Sequence, residues 1–261
     1  MRPQPGHILF ESDHTRCILF HDLVTGAGVQ ANQFLIIRHG EGMLLEPGGQ
    51  RVYPALLDAV RYYLPVDRLR YVFVSHQDPD IAACAGQWLD ISHATLIASR
   101  LWSRFLPHFT GLKDYRDTLY ERLLAVPDEG MRLNFGQEEL ILLPAHFLHS
   151  VGNINLYEPE SGILFSGDIG ASLSPQDASK AVDDLSLHSL YMKDFHQRYM
   201  SCGKVLRLWA HMVRELQPRM IVPQHGGYFA DPNTIEAFLN WLETLSCGVD
   251  LLNQSHFQIP Q

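Results

Sequence analysis

The sequence has no excess of positive charge. Twenty Lys and Arg stand against 29 Asp and Glu, a formal net charge of −9. A nucleic-acid partner needs a basic face to neutralise phosphates, so neither DNA nor RNA is expected. No paired-cysteine motif is present either. Cys17, Cys84, Cys202 and Cys247 lie far apart. That pattern suits reduced thiols in a cytoplasmic protein better than a disulfide framework. The opening residues, MRPQPGHILFESDHT, hold no apolar run of signal-peptide length. No stretch approaches the ~18 continuous apolar residues of a membrane span. Low-complexity linkers and internal repeats are absent as well.

What remains is an ordinary globular composition. Of 261 residues, 46% are hydrophobic and 19% charged, enough for a large core without disulfides. The expectation is one α/β domain spanning 1–261. Short apolar runs bounded by Gly, Asn or Asp predict strands at 7–12, 16–22, 32–40 and 42–49. Apolar residues at helical spacing predict a helix over 52–64, stopped by Pro65. A short buried strand follows at 71–74, with a helix start at Pro79 and Asp80 as its cap. Further strands are expected at 94–99, 131–136, 138–146, 154–160, 162–168 and 219–227. Helices are expected across 100–125, over roughly 185–216 and over 232–245. A polar loop fills 171–184. Two successive series of alternating strands and helices imply two packed sheets with helices outside.

There are 14 histidines. Number alone decides nothing, since many histidines cap or sit on surfaces. Spacing is more informative. His76, Asp78, Asp80, His149, Asp168 and His225 each fall just after a predicted apolar strand. Ligands gather at such strand-end loops in α/β folds. Taken singly, each has a plainer role: a strand-end histidine, a turn or cap aspartate, a histidine before Gly-Gly. Together they form a set of imidazoles and carboxylates, the donors that bind Zn, Fe or Mn.

In order, SHQDPD (75–80), LHSVGN (148–153), LFSGD (164–168) and VPQHG (222–226) resemble the four metal-binding loops of the metallo-β-lactamase superfamily. LLEPGG (44–49) resembles that superfamily's earlier strand-end acidic motif. The resemblance covers roughly 30–230 and implies an α/β metallo-β-lactamase αββα sandwich, two mixed sheets with helices on the outside. Hydrolases of this superfamily usually carry HxHxDH at the first loop. Here the second histidine is replaced by Asp78 and the last by Ile81. A carboxylate at 78 looks like the flavodiiron branch and its shorter oxygen-binding di-iron relatives. Those usually have glutamate there, one methylene longer.

The resemblance implies one metal on His76, Asp78 and His149, a second on Asp80 and His225, and Asp168 bridging them. Two iron ions are the expected cofactors, with Zn or Mn as possible substitutes. Glu46 is expected to hold a ligand histidine by its free ring N–H. Asn153, Tyr191, His146 and Tyr199 are further candidates for the layer behind the ligands. His7, His14, His21, His39 and His256 are expected to take no part. Flavodiiron proteins carry a flavodoxin domain that binds FMN after the metal domain. The residues beyond His225 read as one helix and a short extension, so no FMN is expected here. The implied function is binding of O2 or NO at a di-iron centre, as an oxygen sensor. The alternatives are an O2/NO reductase served by a separate redox protein, and a metal-dependent hydrolase of an ester, thioester or lactone. A signalling partner and a homodimer follow from the resemblance alone.

Overall fold

Two sheets lie face to face in the computed structural model, which describes residues 5–106, 121–173 and 178–260. The first sheet has strands β1 (His7–Glu11), β2 (Thr15–Phe20), β3 (Gln33–Arg38), β4 (Glu41–Leu45), β5 (Leu69–Phe73), β6 (Thr95–Ser99) and β7 (Leu123–Val126), in that spatial order. It is antiparallel from β1 to β4 and parallel from β4 to β7. The second holds β8 (Met131–Phe135), β9 (Glu138–Pro144), β10 (Ile154–Glu158), β11 (Ile163–Phe165) and β12 (Met220–Val222), ordered β12-β11-β10-β9-β8. Its β11–β12 pair is parallel and its other pairs antiparallel. Among the described residues the α-helices are α1 (Tyr53–Tyr63), the single turn α2 (Pro79–Ala82), α3 (Ala85–Ile91), α4 (Leu185–Tyr199), α5 (Gly203–Leu216) and α6 (Pro232–Thr244).

Strand alternation explains why the first sheet is covered on both sides. Cys17, Leu19, Phe34, Ile36, Met43, Leu45 and Phe73 face the second sheet. Their neighbours Ile18, Phe20, Leu35, Leu44 and Val72 face the opposite way, into a cluster with α1 and α3. Side chains alternate with period two, so a strand buried on both faces reads as a continuous apolar run. A third cluster, with Trp209, Phe238 and Leu242, packs α4 to α6 on the second sheet. This is the expected αββα sandwich. No helix among the described residues is long and apolar enough to cross a membrane.

The helices expected across 100–125 are not observed in full. Residues 107–120 lie outside the described residues, and the stretch ends in strand β7, whose parallel ladder with β6, from Leu96–Leu123 to Ser99–Val126, overrides the helical spacing. The 171–184 loop also falls partly outside them, at 174–177.

Opposite ends of the sandwich are locked differently. Arg38 at the end of β3 and Glu158 at the end of β10 form an ion pair with both side chains fully buried. Arg38 also donates to Thr15 Oγ1 at 3.2 Å and to the Phe135 carbonyl at 3.3 Å, as a buried charge requires. At the other edge the sheets are joined through loops. Ile154 N–H donates to the Ser75 carbonyl at 3.1 Å, and Asn32 N–H to the Gln224 carbonyl at 2.5 Å. The candidate site lies at that edge.

Candidate metal centre

The C-terminal ends of β5, β9, β11 and β12 carry the candidate ligands. His76 follows β5, His149 follows β9, Asp168 follows β11 and His225 follows β12. Asp78 is the N-cap of α2 and Asp80 lies inside that turn, so the expected cap at Asp80 is shifted by two residues. Aspartate at an N-cap normally accepts a backbone N–H. Asp78 makes no such bond. Its Oδ2 faces His76 Nε2 and His149 Nε2, each at 3.8 Å. Gly49 makes room for this arrangement: a Cβ there would sit 3.0 Å from the Pro79 carbonyl oxygen.

Asp168 is the centre of the cluster. Its Oδ2 lies 3.4 Å from His76 Nε2 and 3.0 Å from His149 Nδ1. Its Oδ1 lies 3.5 Å from His225 Nε2, which is 3.8 Å from Asp80 Oδ2. The two oxygens of one carboxylate thus face two different groups of side chains. The ligand atoms of His76, Asp78, His149 and Asp168 all fall within 4.8 Å of one another. Donors about 2.1 Å from a shared cation stand roughly 3–3.5 Å apart, so the spacing fits a metal better than a hydrogen-bond network. Asp168 Oδ1 is buried and accepts no hydrogen bond, an orphan that a cation would satisfy.

Electrostatics favour the same conclusion. Burial works against the Asp168 charge, yet His76, His149 and His225 outweigh it and hold the carboxyl well below its usual range. His76 is also buried, and Asp168 and Asp78 raise it well above the usual histidine range. Burial raises Asp80, and Asp168 and Asp78 add to the rise against the pull of His225. Three carboxylates crowded together in this way need positive charge between them.

The groups behind the ligands fix ring orientation. His225 Nδ1 lies 2.6 Å from the Gln30 carbonyl. A carbonyl only accepts, so Nδ1 carries the proton and Nε2 presents its lone pair to the site. Glu46 is placed one residue away from its expected role. Its carboxylate accepts the Ser75 N–H at 3.3 Å, while Ser75 Oγ meets His76 Nδ1 at 2.9 Å. Burial raises Glu46 to about 7 against the pull of His76. Asn153 bridges back to the Leu148 carbonyl and shapes the His149 loop. His146 spans that loop, 3.1 Å from the Val151 carbonyl and 2.7 Å from that of Asp128. The Tyr199 ring meets His149 edge-on at 5.1 Å and stacks on Phe195 at 4.8 Å. Among the described residues, Tyr191 makes no side-chain hydrogen bond or ring contact with the six; its carbonyl accepts the Leu173 N–H.

Four contributors were not singled out from sequence. Ser75, Gln30 and Asn32 act through short-range or backbone contacts. His196 of α4 accepts the Gly170 N–H at 3.0 Å and donates to the Met192 carbonyl at 2.8 Å. A polar residue opening a buried strand marks Asn32, and a histidine in HQRYMS marks His196. Neither pattern names a partner. Ile81 is fully buried in the core beneath the first sheet, so the side chain at that position does not face the cluster. Among the expected non-participants, His14 stacks on His39 at 4.7 Å and His7 on Tyr228 at 6.2 Å.

The fold and this four-loop constellation define a metallo-β-lactamase-like protein with a carboxylate-rich site. The sequence model described as "ODP family beta lactamase" matches residues 29–226, and the chain belongs to that family. It is 36% identical to the chemotaxis sensor ODP of T. denticola in its apo state, with a TM-score of 0.82 over 94% of this chain and 96% of that one. A structure described as the peroxy di-iron species of chemotaxis sensor ODP superposes with the same score and identity, covering 97% of that chain. A flavo-di-iron protein variant from Thermotoga maritima shares the fold at 18% identity, with a TM-score of 0.74 over 91% of this chain and 60% of that one. An uncharacterised protein of Methanocaldococcus jannaschii is 24% identical over 85% of this chain, which spans 55% of that relative's length.

Proposed function

We propose that this chain, read as one domain over 1–261, binds dioxygen at a two-iron centre and serves as an oxygen sensor, with NO as the competing diatomic ligand. The observation that carries the reading is Asp168, whose two oxygens face separate sets of donors. His76, Asp78 and His149 would hold one iron, Asp80 and His225 the other, with Asp168 shared. Iron held there would supply electrons to a small diatomic ligand. The protein's own groups do the rest. Asp78, Asp80 and Asp168 bring negative charge suited to iron. Glu46 through Ser75, and the Gln30 carbonyl, keep the histidine rings aimed inward. Phe195 and Tyr199 pack their rings against His149. Ile81 lends no donor, which leaves the Asp80–His225 side short of ligands. The same proposal includes a cytoplasmic location, a homodimer and a separate signalling partner, and no FMN in this chain.

The test is to load the apoprotein with ferrous iron without oxygen, then add O2 or NO and follow visible absorption. A new band that persists, with no continuing O2 uptake under excess reductant, is expected. Sustained uptake would make the protein a reductase. No spectral change with iron, combined with rapid zinc-dependent ester or thioester cleavage, would make it a hydrolase.

A further inference from the structure

The turn that carries His225 is gripped from outside its own sheet. Asn32, which immediately precedes β3, is 2% exposed. Its Nδ2 donates to the Pro223 carbonyl and to the Gly226 carbonyl, each at 3.0 Å. Its backbone N–H donates to the Gln224 carbonyl at 2.5 Å. One residue therefore satisfies three of the four carbonyls in the 223–226 turn. Two positions earlier, the Gln30 carbonyl takes the His225 Nδ1 proton at 2.6 Å. The exposed Gln30 side chain closes its own loop, accepting Val24 N–H at 3.0 Å and donating to the Val24 carbonyl at 2.7 Å. Arg51 ties the same loop down through the Ala27 carbonyl at 2.9 Å.

No comparable contact runs from residues 24–32 to His76, Asp78 or His149 among the described residues. Those side chains are braced by Ser75, Glu46 and Asn153 instead. The Gly226 backbone is also fixed, with φ at +80° and Ser172 Oγ 2.0 Å from where a Cβ would stand. The turn has little freedom of its own, and its aim at the site depends on the amide that spans it.

We propose that Asn32 is a positioning residue for the second cation position, so that its contacts set the affinity of the Asp80–His225 side more than that of the His76–Asp78–His149 side. This rests on the two-metal reading above. An asparagine suits the task because its amide carries two donors on one atom, matching two carbonyls three residues apart. Leucine has nearly the same shape and no donor. Partners that orient metal ligands typically change affinity 10–100-fold when removed.

The experiment is an anaerobic calorimetric titration of the full-length apoprotein with zinc alone, comparing wild type, Asn32→Leu and Gln30→Ala. Wild type should take two equivalents in separable steps. Asn32→Leu should weaken the second step about 10–100-fold and leave the first unchanged. Gln30→Ala, an exposed change that loosens the loop without opening the core, should weaken the same step less and carries the test if Asn32→Leu does not fold. The ratio of the two affinities is the readout, because a merely structural role would lower the melting temperature without moving it. Equal weakening of both steps, or no change in either, overturns this inference alone. A wild type that binds fewer than two equivalents overturns the two-metal reading along with it.

Discussion

The two halves of the candidate centre share one aspartate and differ in almost everything else. On one side His76 is 2% exposed, and its ring is backed by Ser75 and, through the Ser75 N–H, by buried Glu46. His149 stands on a loop pinned by Asn153 and covered by Phe195 and Tyr199. On the other side the Asp80 side chain is 43% exposed, and His225 takes its orientation from the backbone of an N-terminal loop. Donor atoms on the first side converge within 4.8 Å, and Asp80 and His225 are not part of that group. One side is built around two strand-end histidines whose surroundings are braced by Ser75, Glu46 and Asn153. The other is assembled from a half-buried aspartate and a borrowed clamp. Pre-organised donors bind more tightly because less ordering is left to do on binding.

The sharpest break in this comparison is at the shared residue. Asp168→Ala removes a donor from both sides, and iron content should fall close to zero by elemental analysis. Full retention would refute the bridging role. Asp80→Ala should instead leave about one ion per chain, because the first side keeps all its partners. Asp78→Ala should cost more total iron than Asp80→Ala, since it strikes the better-organised side. If the two aspartate variants lose iron equally, the asymmetry is wrong even though the centre stands.

Much of the candidate site was legible because the residue types that can bind a metal are written in the sequence. His76, Asp78, His149, Asp168 and His225 each follow a run apolar enough to read as a strand, and strand ends are where the fold gathers them. The αββα sandwich was legible for a similar reason: runs such as QFLIIR and GMLL are apolar on both faces, which only a doubly covered sheet allows. The contacts that aim the ligands were not legible. Glu46 acts through the Ser75 backbone, and Asn32 through three carbonyls of a turn nearly two hundred residues away. Backbone groups are the same at every position, so sequence does not reveal which of them a side chain will find. Strand β7 falls where the spacing predicts helix, because apolar spacing over so short a run does not separate the two.

Ile81 shows the limit of motif alignment. Its position corresponds to a histidine in the hydrolase pattern, which suggests that Ile81→His would restore a ligand. The side chain is instead fully buried beneath the first sheet, with Leu56, Val74 and Trp88 in the same cluster. Ile81→His should leave metal content per folded chain unchanged and lower stability by about 3 kcal/mol, by placing a polar ring in an apolar core. Urea unfolding of the metal-free protein measures the loss. A gain of second-site affinity would show that the α2 turn can rotate, and that the weaker side is limited by donor number rather than by positioning.

His196 tests the comparison from the opposite flank. It holds the Gly170 N–H two residues past Asp168, so it braces the shared carboxylate where Asn32 braces only one side. Its replacement by Gln should loosen both cations together, in contrast to Asn32→Leu. The same histidine predicts a pH effect in the metal-free protein. Burial lowers it from the usual 6.5 to about 4, and its ring accepts on one nitrogen and donates on the other, so it must remain neutral. Between those values the unfolded chain takes up a proton that the folded chain refuses. Stability is therefore complete above pH ~6.5 and falls as pH drops toward ~4, by about 3 kcal/mol at most. Urea unfolding at pH 7.5 and pH 5 should show that loss in wild type and a flatter profile in His196→Gln. An unchanged slope would mean that other groups carry the acid sensitivity and that His196 is not held neutral by its burial.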